Sequence, residues 1–183
     1  MPPVVILIVV SALALFGCGG ARRPPPEVST VLYPLPAREP FLAVGADTSG
    51  LTDVERATFW HAAEHLNQLA GTTVYAPSAP VHVVVRVDGR DCETGDTTGW
   101  ADGDMNADGS PSLGSWTMCL NLAWMTGAGG WAADRLIAHE LLHTLGIGHD
   151  EDDPMSIMTP NLTARGATEL RPAHLARIRE LSE

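Results

Sequence analysis

His139, Glu140, His143, Gly146 and His149 fall within eleven residues of one another, in a spacing that could hold a metal ion and act on water. On an α-helix, residues four apart project from the same face, about 40° apart and one turn up, so the imidazoles of His139 and His143 converge on one ion. Glu140 is displaced by about 100° from His139 and reaches a water beside the ion without being a ligand. Gly146 lets the backbone leave the helix by a left-handed turn, which swings His149 round as a third ligand. Three neutral imidazoles leave one position of a tetrahedral zinc open, the mark of a catalytic rather than a structural site. Leu136, Leu142 and Leu145 supply the apolar sides that anchor such a helix.

Other residues invite similar readings. His61, Glu64 and His65 spell the H-x-x-E-H pattern of inverzincins. The helical wheel sets them opposite the apolar stripe of Phe59, Ala62, Ala63, Leu66, Leu69 and Ala70, on a solvated face where a catalytic metal has no cleft. His82, alone in a strand, reads as a packing or surface residue. Asp104, Asn106 and Asp108 place oxygen ligands at alternating positions, with Gly109 for the turn, so these three are candidate calcium ligands, with Asp102 as a further one. The bidentate Glu of an EF-hand is missing, because Ser115 holds its position, and a solvated acidic loop is the alternative. The acidic run from Asp150 to Asp153 reads as a solvated turn, with steering of basic substrates as the second option.

The elements that must position these groups alternate between strands and helices. Phe41 to Val44 suggests a short strand. Thr52 with Glu55 three residues on forms a capping box for a helix that runs to Ala70 and stops at Gly71. Thr73 to Tyr75 and Val81 to Val87 are β-branched runs, the second long enough for a central strand. Ser115 to Leu122 looks extended, Trp131 to Leu145 is the helix carrying the histidines, and Arg171 to Glu183 is a last helix with Leu175, Ile178 and Leu181 at helical spacing.

The chain begins with an apolar stretch, Val4 to Phe16, of about 13 residues where a membrane span needs about 20, which fits a signal-peptide core. Leu15, Phe16, Gly17 and Cys18 resemble the lipobox of bacterial lipoproteins, with Cys18 as the lipidated first residue of the mature chain. An ordinary cleaved signal and an uncleaved anchor are the alternatives. Residues 18–38, with Pro24, Pro25 and Pro26 in a row, make a semi-rigid tether, and residues 39–183 form one domain. Cys92 and Cys119 are then an even pair in an exported chain, and a disulfide is the natural assignment against two buried free thiols. The 183 residues are 45% apolar, enough for one core of ordinary size. The formal charge of −11, with no run of basic residues longer than a pair, excludes polyanion partners such as nucleic acid and leaves a lipid anchor as the only membrane contact. We expect a monomer in the cell envelope, or a secreted one.

The stretch from His139 to His149 matches H-E-x-x-H-x-x-G-x-x-H, and the chain thereby resembles the metzincin zinc endopeptidases. Within that clan it is most similar to matrixins, through Asp153, Pro154, Met158 and Pro160 after the third His and through Leu170, Leu175, Ile178 and Leu181 near the end. It departs from them at Asp150, which follows the third His as in adamalysins, at Thr159, and at His174, where matrixins have Asp. The resemblance implies an α+β catalytic domain with a twisted, mostly parallel sheet, an antiparallel edge strand, an active-site helix and a C-terminal helix. It implies zinc on His139, His143 and His149, Glu140 as general base, and a methionine turn at Met158 beneath the metal. A peptide substrate would add beside the edge strand around Gly99, Trp100 and Ala101, with Thr159 and Pro160 walling a pocket. Matrixins also carry structural calcium in the region of the acidic loop. Two other functions remain open: a surface lipoprotein that binds zinc or calcium without proteolysis, and a zinc hydrolase of a non-peptide bond.

Overall fold

The computed structural model describes residues 44–79, 81–87, 99–103, 116–121, 130–160 and 169–182. Cys18, the signal-like segment, the tether, Cys92 and the candidate calcium ligands Asp104, Asn106 and Asp108 lie outside these residues, as does the side chain of His82.

Seven elements follow one another among the described residues: β1 (Gly45–Asp47), α1 (Asp53–Ala70), β2 (Val81–Val87), β3 (Gly99–Asp102), β4 (Trp116–Leu120), α2 (Gly130–His143) and α3 (Pro172–Ser182). The strands form one sheet in the order β1-β2-β4-β3, in which β1, β2 and β4 are parallel and β3 runs antiparallel along β4 at the edge. An α+β chain with a mostly parallel sheet and an antiparallel edge strand is the architecture expected. Of the expected first strand, Phe41, Leu42 and Ala43 lie outside the described residues. Val44 makes only a bridge to Tyr75, and the strand that pairs with β2 is Gly45–Asp47.

The sheet's inner face comes from alternation. Val83, Val85 and Val87 are buried and stand in register with Trp116, Met118 and Leu120, so one parity of two neighbouring strands presents an unbroken apolar surface. Both α1 and α2 contribute to the same core, through Phe59, Ala62, Ala63 and Leu66 on one and Leu136, Ile137, Leu141 and Leu142 on the other. Leu69, placed on the stripe by its spacing, is 49% exposed. It lies at the stripe's margin, about 80° from Phe59 on the wheel, beyond the arc that reaches the core.

Local chemistry starts α1 and ties it to α2. Thr52 Oγ1 accepts the Glu55 amide at 3.4 Å, and Glu55 Oε2 accepts the Thr52 amide at 2.7 Å, which completes the capping box. Near the other end, Asn67 Oδ1 accepts the amides of Val74 and Tyr75 at 2.8 and 3.0 Å while its Nδ2 donates to the Tyr75 carbonyl at 2.8 Å. That clamp sets the Tyr75 side chain into the core, where its hydroxyl donates to the Leu141 carbonyl at 2.6 Å. Leu141 lies in the last turn of α2, and its carbonyl, which also accepts the Thr144 amide at 3.0 Å, is thereby tied to a buried phenol next to the histidines.

Cys119, in the middle of β4, is disulfide-bonded, which excludes a free thiol there; its partner is not among the described residues. No helix among the described residues is long and apolar enough to cross a membrane.

Candidate metal centre

The end of α2 builds the site. After His143 the Gly146 amide donates to the His143 carbonyl at 2.9 Å and the Ile147 amide to the Leu142 carbonyl at 3.3 Å, the paired bonds of a Schellman motif. That motif requires a left-handed residue, and Gly146 supplies it with φ of 72°. The reversal brings the Ile147 carbonyl back over the helix end, where it accepts from His143 Nδ1 at 2.8 Å. His139 Nδ1 meets the Ile157 carbonyl at 2.7 Å. Since a carbonyl can only accept, both Nδ1 atoms carry protons and both Nε2 atoms are left with free lone pairs.

Those lone pairs point at one place. His139 Nε2 lies 3.1 Å from His143 Nε2 and 3.3 Å from His149 Nε2, and the three rings together form a group that could hold a metal ion. Burial pushes the His139 ring down to about 3, helped by the neighbouring His143 and opposed by the Ile157 carbonyl. Burial likewise pushes His143 down to about 4, against the Ile147 carbonyl. Both rings are therefore neutral at physiological pH, as metal ligands must be.

Glu140 follows the first histidine and is buried at 3% exposure, which pushes its carboxyl up to about 8. A cation held by the three imidazoles would act in the other direction and favour the carboxylate. The carboxyl packs against the edge strand. A Cβ on Gly99 would come within 3.2 Å of Glu140 Oε1, 3.2 Å of the Cys119 carbonyl and 2.9 Å of Leu136 Cδ1, so β3 approaches the helix this closely only because its first residue has no side chain. Trp100 and Ala101 follow in the same strand, half-buried, in register with Cys119 and Met118.

Ser156 to Pro160 form a turn beside His139, whose Nδ1 meets the Ile157 carbonyl. Met158 is fully buried, its amide donates to Ser156 Oγ at 3.0 Å and its carbonyl accepts the Asp150 amide at 3.0 Å. Met155, the other methionine nearby, is 42% exposed. Thr159 is buried and Pro160 exposed.

The acidic run is not the solvated turn its composition suggested. Glu151 and Asp152 are exposed, but Asp150 and Asp153 are buried. Asp150 Oδ2 accepts the Ser156 hydroxyl and faces His174 Nε2 at 3.1 Å. Asp153 forms a two-pronged pair with Arg171, through Nε and, at 2.7 Å, Nη2. These partners lie far along the chain, and spacing alone carries no trace of them. One local signal does exist: His174 stands at the third position of α3, from which a side chain reaches back to the helix-capping amide. The inverzincin-like trio remains on the surface, with His61 Nδ1 3.1 Å from Asp134 Oδ2 and both Glu64 and His65 exposed.

No protein-family model matches the chain, and no curated protein matches it as a relative.

Proposed function

We propose that this chain is a zinc-dependent endopeptidase of the metzincin kind. The observation that carries the reading is the convergence of three imidazole Nε2 atoms beside a buried glutamate that faces a sheet edge. Nitrogens bound to tetrahedral zinc at about 2.0–2.1 Å stand about 3.3 Å apart, and the spacings here are 3.1 and 3.3 Å. An all-imidazole donor set also suits zinc better than magnesium or calcium, which take oxygen.

Zinc, when bound, supplies Lewis acidity, polarising a carbonyl and lowering the pKa of water from 15.7 toward about 7. The rest of the chemistry belongs to the chain. Glu140 takes the proton of the attacking water on its carboxylate and returns it to the amine that leaves. His139 and His143 keep their Nδ1 protons on the backbone carbonyls of Ile157 and Ile147, which holds each ring at a fixed angle throughout. A peptide in extended form pairs with the outer side of β3, the strand whose Gly99 lies against Glu140. The lipobox-like Leu15-Phe16-Gly17-Cys18 supports work in the cell envelope.

A screen of the zinc-loaded protein against a mixed peptide library, with ester and β-lactam substrates in parallel, tests the substrate class. Internal peptide cleavage that a chelator abolishes is the expected result. Turnover confined to the non-peptide substrates would replace the reading with a hydrolase of another bond, and no turnover of any would leave a metal-binding surface protein.

A further inference from the structure

Tyr75 is a buried phenol that the proposed chemistry does not use, and its hydroxyl donates to the carbonyl of Leu141, which shares the last turn of α2 with His143. Burial raises the phenol's pKa, so the group stays a donor at every physiological pH. The same carbonyl accepts the Thr144 hydroxyl at 2.7 Å and the Thr144 amide at 3.0 Å. In a continuing α-helix its donor would be the Leu145 amide, four residues on. That amide goes to the Leu142 carbonyl at 3.0 Å, and the Gly146 amide to the His143 carbonyl at 2.9 Å, so the helix tightens to three-residue bonds from Leu141 onward. With two lone pairs and three donors already, the Leu141 oxygen has no place for the amide that would carry the α-helix further.

The phenol is placed from outside α2. Asn67, in the last turn of α1, accepts the amides of Val74 and Tyr75 and donates to the Tyr75 carbonyl, while Tyr75 also bridges to Val44. Where α2 stops decides the path of the residues that follow, because each further helical residue turns the chain by about 100°. A helix one residue longer would carry the reversal at Gly146 to another side of the axis, and with it His149 and the Ile147 carbonyl that orients His143. We propose that Tyr75 is a positioning residue for the metal centre: its hydroxyl, aimed by Asn67, stops α2 at His143 and so fixes the place of His149. The proposal rests on the reading of His139, His143 and His149 as metal ligands. Removal of the hydroxyl reopens the Leu141 carbonyl to the Leu145 amide, and the helix end then has two registers in competition, of which one presents His149 to the ion.

Cobalt(II) serves as the probe, because its visible bands register ligand geometry independently of turnover. The cobalt spectrum and the metal affinity in chelator competition are compared in the parent, Tyr75→Phe and Phe59→Leu proteins. Tyr75→Phe keeps the ring and removes only the hydroxyl, and is expected to alter the spectrum and weaken affinity about 10-fold, the lower end for a group one step removed from a ligand. Phe59→Leu, a core truncation on α1, is expected to lower thermal stability without moving the spectrum. In a His149→Ala background the effect of Tyr75→Phe on affinity should shrink to about 2- to 3-fold, because two changes that act through one ligand are not additive. If Tyr75→Phe does not fold, Asn67→Ala releases the segment that aims the phenol and is expected to change the spectrum in its place. A folded Tyr75→Phe or Asn67→Ala protein with the parent's spectrum and affinity overturns the proposal. So does an equal loss from Tyr75→Phe with and without His149, or a spectral change as large in Phe59→Leu. Failure of the parent itself to take up cobalt overturns the metal-centre reading instead.

Discussion

The facing nitrogen lone pairs of His139 and His143 repel one another unless a cation sits between them. The carbonyls of Ile157 and Ile147 leave His139 and His143 no choice of tautomer, so their Nε2 atoms, 3.1 Å apart, cannot settle their contact by sharing a proton while both rings are neutral. The site is thus preorganised for a metal at the expense of the empty state. His149 has a different standing, because it comes from beyond the helix and depends on the reversal at Gly146. His149→Ala is expected to lower metal affinity by more than the 10- to 100-fold typical of an outer partner, measured by chelator competition. Unchanged affinity would remove His149 from the ligand set. All of these residues were legible in the sequence, since helix geometry alone brings positions four apart together. Asp150 was not legible as a buried group, because what buries it is His174, which local spacing does not connect to it.

At the level of elements, the histidines depend on how α2 ends. The Schellman bonds at Leu142 and His143 require Gly146 at φ of 72°, and an L side chain in that region costs about 1–2 kcal/mol. Gly146→Ala is therefore expected to destabilise the protein by about that amount in denaturant titration and to weaken metal binding as well, because His149 moves with the turn; a loss of stability with no loss of affinity would separate the turn from the site. The helix starts and the central strand were readable for the same local reason. The Thr52–Glu55 box and the valine run of β2 are decided by residues within a few positions of each other. That Gly45–Asp47 pairs with β2 was not readable, because the pairing partner across the sheet and not the apolar character of these three residues makes them a strand. A second contact between elements predicts behaviour in acid. The Arg171 guanidinium holds the Asp153 carboxyl below its ordinary value, so the pair stabilises the fold fully above about pH 4 and is lost as pH falls through that depressed value. Arg171→Ala should cost about 2 kcal/mol at pH 7 and lose less further stability than the parent between pH 5 and 2, followed by urea unfolding of the metal-free proteins. Equal acid dependence in the two would contradict the pairing.

Across the whole molecule, the proposed cleft lies between a helix end and a sheet edge, and the disulfide at Cys119 fastens the strand that pairs with that edge. With Cys92 as the partner, the closed loop spans about 27 residues, worth about 3.5 kcal/mol on the chain-entropy estimate. Reduction is expected to lower thermal stability by a matching amount and to loosen the edge strand before it releases metal. A non-reduced digest should yield a Cys92–Cys119 peptide, and recovery of Cys92 as a free thiol would refute that pairing. The central claim is that the chain cuts peptide bonds with Glu140 as the base beside a zinc held by three histidines. Its most direct test sets the zinc-loaded parent beside Glu140→Ala, measuring zinc content and casein cleavage on the same samples. The account predicts one zinc per chain in both proteins and a loss of cleavage in the variant of about 10²- to 10⁴-fold, the usual worth of a positioned general base. Cleavage by Glu140→Ala within a few-fold of the parent, at equal zinc content, would contradict it.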